Sequence, residues 1–157
     1  MQSEGLSPDE VTFLSLLSGY GYTGHLDKAQ NIFENMTTKY GITANLDHHT
    51  CMVMVFGFAG HFDKAISVIK VMPSSDYLPV WLALLGACRK WANVKLGKLA
   101  FGQAVQLDNG YSAIYDLMAD IFAAADMIED AVRVEAMAFK HSTMSFQNEK
   151  KLVCRLI

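Results

Sequence analysis

The feature that most limits what this chain can fold into is a repeat. Gly24-His25-Leu26-Asp27-Lys28-Ala29 returns as Gly60-His61-Phe62-Asp63-Lys64-Ala65, and Met36 returns as Met72, both at a shift of 36 residues. Self-similarity at a period of 20–50 residues marks an array in which each unit buries its apolar faces against its neighbours. Carried on by 32 and then 34 residues, the register sets Phe13, His49, Trp81 and Tyr115 in one slot. Leu16, Met52, Leu84 and Met118 fall in a second slot, and Ala29, Ala65, Gly97 and Ala131 in a third. The units run 10–45, 46–77, 78–111 and 112–145.

Within each unit a large residue is followed three and four positions on by aliphatic ones, the spacing of one buried helical face. The small third slot lets a second helix approach the first, so each unit reads as two antiparallel helices. Ser7-Pro8-Asp9-Glu10 predicts the first start, with Ser7 as N-cap, Pro8 at the first helical position and Glu10 completing a capping box. Gly21 and Gly24 are expected to break that helix, and a second follows over Leu26–Tyr40 with Gly41 as its stop. The same division predicts helices at 47–58, 62–72, 79–91, 94–106, 112–124 and 127–139. The expected fold is all-α, a right-handed α-α superhelix of about four hairpins, as in tetratricopeptide-like α-solenoids. A single-core four-helix bundle is the alternative, although it has no need of period-matched landmarks.

Composition narrows the functions. The 157 residues are one domain's worth, and 52% hydrophobic against 18% charged residues is ample for a core. A net charge of −3 argues against gripping a nucleic-acid backbone through bulk positive charge, so any such contact must be modular. The longest apolar stretches, Cys51–Gly60 and Tyr77–Cys88, are too short for a membrane span, and no membrane partner is expected. Cys51, Cys88 and Cys154 form neither a disulfide framework nor a metal pair, which fits a reducing compartment. Met1–Gly5 shows no leader pattern.

Several stretches carry a resemblance: Pro8-Asp9-Glu10-Val11-Thr12-Phe13, Leu46-Asp47-His48-His49-Thr50-Cys51-Met52-Val53, Met72-Pro73, and Val80-Trp81-Leu82-Ala83-Leu84-Leu85-Gly86-Ala87-Cys88-Arg89 before Asn93-Val94. Over about residues 1–140 the chain resembles the pentatricopeptide repeat (PPR) family, and more closely the C-terminal end of its plant PLS subclass. There an L-type and an S-type motif precede two E-type motifs, the last with a segment that reads here Tyr115-Asp116-Leu117-Met118-Ala119-Asp120-Ile121-Phe122-Ala123. The implied division is 1–9 as the tail of a preceding repeat, 10–77 as two PPR-type hairpins, 78–145 as two E-type hairpins and 146–157 as a basic tail. Three departures stand out: His49 replaces a usual tyrosine, Asp126-Met127 replaces Gly-Trp, and Ser145-Phe146 stands for a Ser-Trp pair.

The resemblance implies binding of single-stranded organellar RNA, one base per repeat through the fifth and last residues. Those pairs are Leu14 with Asn45 and Thr50 with Tyr77. Leucine has no hydrogen-bonding group, so base discrimination at Leu14 is expected to be slight and Thr50 is the best candidate. The resemblance also implies cytidine-to-uridine editing in a mitochondrion or chloroplast, with editing accessory proteins or a deaminase supplied in trans. The family's own DYW deaminase needs His-x-Glu and Cys-x-x-Cys for zinc-activated water, and neither occurs here, so no catalysis, metal or cofactor is expected. The alternative is a structural scaffold of a large organellar complex, a ribosome or polymerase, with base reading lost. A tetratricopeptide-like peptide-binding module is the third reading.

Residues 89–107 carry Arg89, Lys90, Lys95 and Lys98 without an acid, whereas 108–135 carry seven acids against Arg133. A face paired with its acidic neighbour is the plain reading; phosphate contact at Arg89, Lys90 and Lys95 is the functional one. Adjacent His48 and His49 point about 100° apart on a helix and are expected to split between core and solvent rather than share a metal. The methionines Met36, Met52, Met72 and Met118 are expected in the core. Uncovered ends of a solenoid favour homo- or hetero-oligomers.

Overall fold

The computed structural model describes residues 7–156, with side chains for 7–144 and Arg155. Eight helices and no strand lie among the described residues: α1 Glu10–Thr23, α2 Leu26–Thr38, α3 Leu46–Phe58, α4 Phe62–Val71, α5 Leu78–Trp91, α6 Val94–Leu107, α7 Ser112–Ala124 and α8 Ile128–Leu156. The fold is all-α and made of helical hairpins, as the repeat requires. The chain divides into two compact units, Met1–Ala87 and Cys88–Ile157. The expected preceding-repeat tail falls largely on residues 1–6, outside the described ones, as do the tail's side chains apart from Arg155.

All four hairpins turn in the same way. Gly24, Gly60, Ala92 and Asp126 take positive φ of 74°, 83°, 50° and 60°, and they sit at the successive shifts of 36, 32 and 34. The next residue's N–H then reaches back five residues to a helix carbonyl: His25 to Tyr20 at 3.1 Å, His61 to Phe56 at 2.9 Å, Asn93 to Cys88 at 2.9 Å and Met127 to Phe122 at 2.8 Å. Left-handed backbone satisfies carbonyls that a helix end leaves open, and glycine adopts it without a Cβ penalty. Ala92 and Asp126 adopt it with one.

Three expectations are corrected. The N-cap of α1 is Asp9, not Ser7; its carboxylate accepts from the Thr12 N–H and the Thr12 hydroxyl, each at 2.8 Å. Those bonds, the backbone one first, hold the Asp9 carboxyl below its usual pKa. Gly21 does not break α1: an added Cβ there would stand 3.1 Å from Val55 Cγ2 and 3.2 Å from Met54 Cε, so the glycine permits α3 to come close. Finally, α8 runs on to Leu156 instead of stopping near 139, because residues 111–157 contain neither glycine nor proline to end it.

In the first unit α3 packs against α1, α2 and α4. A Cβ on Gly57 would fall 2.6 Å from Ala87 Cβ. This is the Gly21–Val55 approach moved on by one repeat, since Gly57 and Ala87 are the register equivalents of Gly21 and Val55. A shared register of helix-on-helix approaches belongs to stacked hairpins rather than to a single-core bundle. In the second unit α7 packs on α6 and α8, and a Cβ on Gly97 would lie 3.0 Å from Ile121 Cδ1.

The predicted slots are core slots. Phe13, His49, Trp81 and Tyr115 are all buried, as are Ala29, Ala65, Gly97 and Ala131 and the four methionines. Leu16 departs from its buried equivalents Met52, Leu84 and Met118: it is 38% exposed and lines an open hollow of about 400 Å³ with Pro8, Phe13, Ile32 and Tyr40.

Two substitutions test this geometry in opposite directions. Ala92→Gly relieves left-handed strain of about 1–2 kcal/mol, partly offset by the freer unfolded chain. It is expected to raise the thermal midpoint by a few degrees. Gly57→Ala forces two Cβ atoms together and is expected to destabilise the protein by about 1–3 kcal/mol. Calorimetric melting of both variants checks the pair.

Candidate nucleic-acid interface

The start of α3 is a closed hydrogen-bonded lock. Asn45 Oδ1 accepts from the backbone N–H groups of Asp47 at 3.0 Å and His48 at 3.1 Å, and His48 Nδ1 accepts in return from the Asn45 N–H at 3.2 Å. With Nδ1 accepting, His48 Nε2 carries the proton and donates to the Glu10 carbonyl at 2.9 Å, at the start of α1. One imidazole therefore caps its own helix and ties it to the previous repeat's first helix. His49 Nδ1 donates to the Asn45 carbonyl at 2.8 Å, and its ring meets Phe33 edge-on.

Both histidines are buried, which corrects the expectation of one in solvent. His48 is drawn in by its cap and cross-helix bonds, and His49 fills the aromatic slot. Among the described residues no group of three or more His, Cys, Asp or Glu side chains could hold a metal ion. Cys88 is buried, and burial pushes its thiol up to about 12; Cys51 is half-buried, with its thiol raised chiefly by burial and its sulfur 3.4 Å from Ser18 Oγ. Neither has the lowered pKa of a nucleophilic cysteine.

Thr50 and Tyr77 come together at this end of α3. Asp47 and Thr50 are three apart and share a helix face, and the Tyr77 hydroxyl reaches across to donate to Asp47 Oδ1 at 2.5 Å. That bond, then burial and the Asp47 charge, raises the Tyr77 pKa. Thr50 is half-buried and its hydroxyl donates to the Leu46 carbonyl at 2.8 Å, which leaves its oxygen lone pairs to accept. Asn45 is exposed, but its amide oxygen is committed to the cap, so the amide NH₂ is what it can offer. Leu14 is half-buried one turn beyond Glu10, with only apolar contact to give. The surface can thus accept one hydrogen bond at Thr50, donate at Asn45, and offer the Tyr77 ring.

Arg89, Lys90 and Lys95 lie in the second unit and are all exposed. Arg89 pairs with Asp120 at 3.3 Å, both side chains more than half exposed, and such a pair is worth at most about 1 kcal/mol. Lys90 Nζ lies 5.4 Å from the centroid of Trp91, and Lys95 is in the first turn of α6. The sequence reading passed over Trp91, a large aromatic 51% exposed inside the basic segment. Aromatic interleaving among lysines was the signal available for it.

Known proteins resemble this chain. Residues 4–37 and 48–77 each match the family model of the PPR repeat. Pentatricopeptide repeat-containing protein At4g14820 of Arabidopsis thaliana is 34% identical over an alignment covering 92% of this chain and 21% of that protein. Pentatricopeptide repeat-containing protein At4g33990 of the same plant is 37% identical, covering 88% of this chain and 17% of the relative. A third, At5g40410, whose name adds "mitochondrial", is 36% identical over 83% of this chain and 21% of its own length. The chain spans about a fifth of the length of these relatives.

The His48 lock is open to a direct test. His48→Ala leaves the Glu10 carbonyl and the Asn45 N–H without their partners and opens a cavity where the buried imidazole stood. It is expected to cost about 2–4 kcal/mol. Urea unfolding of the variant measures the loss, and faster amide exchange at the start of α3 would locate it.

Proposed function

As a pentatricopeptide repeat chain, carrying that repeat at residues 4–37 and 48–77, this protein has, we propose, a part in organellar RNA processing as a non-catalytic single-strand RNA binder. The observation that carries the reading is the pair of first helices tied in register by His48, with the fifth and last positions of the second repeat gathered at one helix start. Such repeats address one base each through a few side chains. Here Thr50 is the base-contacting residue, with Asn45 and Tyr77 as auxiliary donors or stacking groups and Leu14 contributing apolar contact. Phosphate contact is assigned to Arg89, Lys90 and Lys95, with Arg89 giving up Asp120 to make it.

Within that role, C-to-U editing is the process best fitted. We assign residues 10–77 to L- and S-type hairpins and 78–145 to two E-type hairpins of the PLS subclass. The part we assign to these residues is binding and recruitment, with editing accessory proteins or a deaminase supplied in trans as the proposed partners. The plant relatives, one of them named mitochondrial, support an organellar address. A second reading, a scaffold in a large organellar complex, is favoured by one observation: Leu14 has nothing polar to offer, while the Asn45 amide oxygen and the Tyr77 hydroxyl are already engaged inside the protein.

Binding to single-stranded RNA libraries, followed by sequencing of the retained molecules, tests the reading. The expected result is retention with a preference at one base that Thr50→Val weakens by about 2- to 10-fold, the worth of one hydrogen bond, without lowering the melting midpoint. Retention of no RNA would leave the scaffold reading. Recovery of the tagged protein from organelles with ribosomal or polymerase subunits and no discrete RNA site would establish it.

A further inference from the structure

Two hydroxyl groups near the start of α3 have already given away their protons. Thr50 donates to the Leu46 carbonyl at 2.8 Å, and a carbonyl only accepts. Tyr77 donates to Asp47 Oδ1, and a carboxylate likewise only accepts. The two commitments differ in strength. A hydrogen bond to a carboxylate is roughly twice as strong as one between neutral groups, so the Tyr77 proton is the harder to redirect. Engagement fixes the direction of these groups without ending their use, because a hydroxyl oxygen that has donated still has lone pairs to accept with.

The carboxylate is particular to this repeat. Val11, Pro79 and Ala113 occupy the slot of Asp47 in the other units, and none of them can hold a hydroxyl proton. An acid in the first turn favours its helix, yet α5 and α7 form without one. Asp47 is also exposed, so neither burial nor the hairpin requires its charge. Asp47 and Thr50 share a face of α3, and the Tyr77 oxygen is held at Asp47. Oxygens from a carboxylate, a phenol and an alcohol are thereby gathered within one helical turn, presenting lone pairs and no proton. Two residues before Asp47, the Asn45 amide offers its NH₂, its oxygen being taken by the cap.

We propose that Asp47 is a specificity-determining residue: by holding the Tyr77 proton it keeps this site a set of acceptors and so directs it to guanine. The inference rests on the RNA-binding reading and names the base that reading leaves open. Single-stranded RNA is read at the pairing edges of its bases. Guanine is the base whose pairing edge carries two neighbouring donors, N1–H and the 2-amino group, beside an acceptor, O6, that the Asn45 amide suits. Adenine and cytosine set an acceptor ring nitrogen next to their amino group, and uracil flanks its one N–H with two carbonyls. Each of these brings a lone pair against a lone pair, and a polar group left unpaired costs more than a formed bond returns. Asp47 acts through Tyr77 and is in that respect a positioning residue.

The full chain is titrated with labelled twelve-nucleotide oligouridine carrying one central guanosine, and with the same strand carrying adenosine, cytidine, inosine or uridine there. Guanosine is expected to bind tighter than adenosine, cytidine or uridine by about 5- to 30-fold. Inosine, which lacks the 2-amino group, should fall between. Tyr77→Phe removes one acceptor and should reduce the guanosine preference without creating another. Asp47→Asn should do more, because its amide can donate to the Tyr77 oxygen and turn the phenol proton outward. The guanosine preference is then lost, and uridine or cytidine binds better than in the parent chain. A merely structural Asp47 would lower every affinity alike. Melting followed by circular dichroism confirms that each variant is folded.

Binding with a preference for another base, or with none, overturns the guanine assignment and leaves single-strand binding standing. A guanosine preference that persists unchanged in both Asp47→Asn and Tyr77→Phe overturns the role of Asp47, as does an equal loss of affinity for all five strands. Absence of binding to any strand by the parent chain overturns the RNA reading and this inference together.

Discussion

Each hairpin depends on one backbone device, a left-handed residue followed by an N–H that returns to a helix carbonyl five residues back. The device sets where the first helix stops and the second begins, and so fixes which residues of the two helices face each other. Once it is in place, the small residue five positions past the left-handed one lands in the core: Ala29, Ala65, Gly97 and Ala131 are all buried. The strained versions at Ala92 and Asp126 show that the hydrogen bond and the packing it permits outweigh the cost of a Cβ in the left-handed region.

A second device works on the connections between hairpins. Trp81 and Tyr115 occupy the same slot, and each donates its polar hydrogen to a carbonyl six residues upstream, Trp81 to Ser75 and Tyr115 to Asn109, both at 2.8 Å. His49 does the like to Asn45, four residues upstream, while Phe13 has no hydrogen to donate. An aromatic body fills the core and its polar tip pins the connecting loop. The last positions of the first two repeats, Asn45 and Tyr77, lie in those pinned connections, so the residues of the proposed RNA face are positioned by core packing. Their engagement with the cap and with Asp47 follows from the same closeness and explains why little hydrogen-bonding capacity is left over for a base.

Much of the fold was legible because period-matched landmarks leave few ways to place helices. The helix order, the buried slots and the turn positions all followed from Gly24, Gly60 and the residues in register with them. The misreadings share a cause. Gly21 looked like a breaker because glycine propensity is local, whereas its use, clearance for Val55, belongs to another helix. Ser7 looked like the cap because Ser-x-x-Glu is a sound pattern, but Asp9 offered a stronger acceptor to Thr12 nearby. His48 was half legible: its core placement was expected for one histidine of the pair, its bond to Glu10 was not.

By itself the sequence determined the class of structure, since repeated apolar spacing and small-residue slots admit paired helices and little else. It also determined that bulk charge is unavailable for gripping RNA and that the DYW deaminase motifs do not occur in these residues. Only the tertiary structure decided which polar groups remain to meet a partner. A hydrogen bond formed between residues 30 or 38 positions apart, as Tyr77 makes to Asp47 and His48 to Glu10, has no trace in local sequence. Exposure decided the rest: Trp81 and Trp91 are the same residue type ten positions apart, and packing buries one as core while leaving the other's ring at the surface.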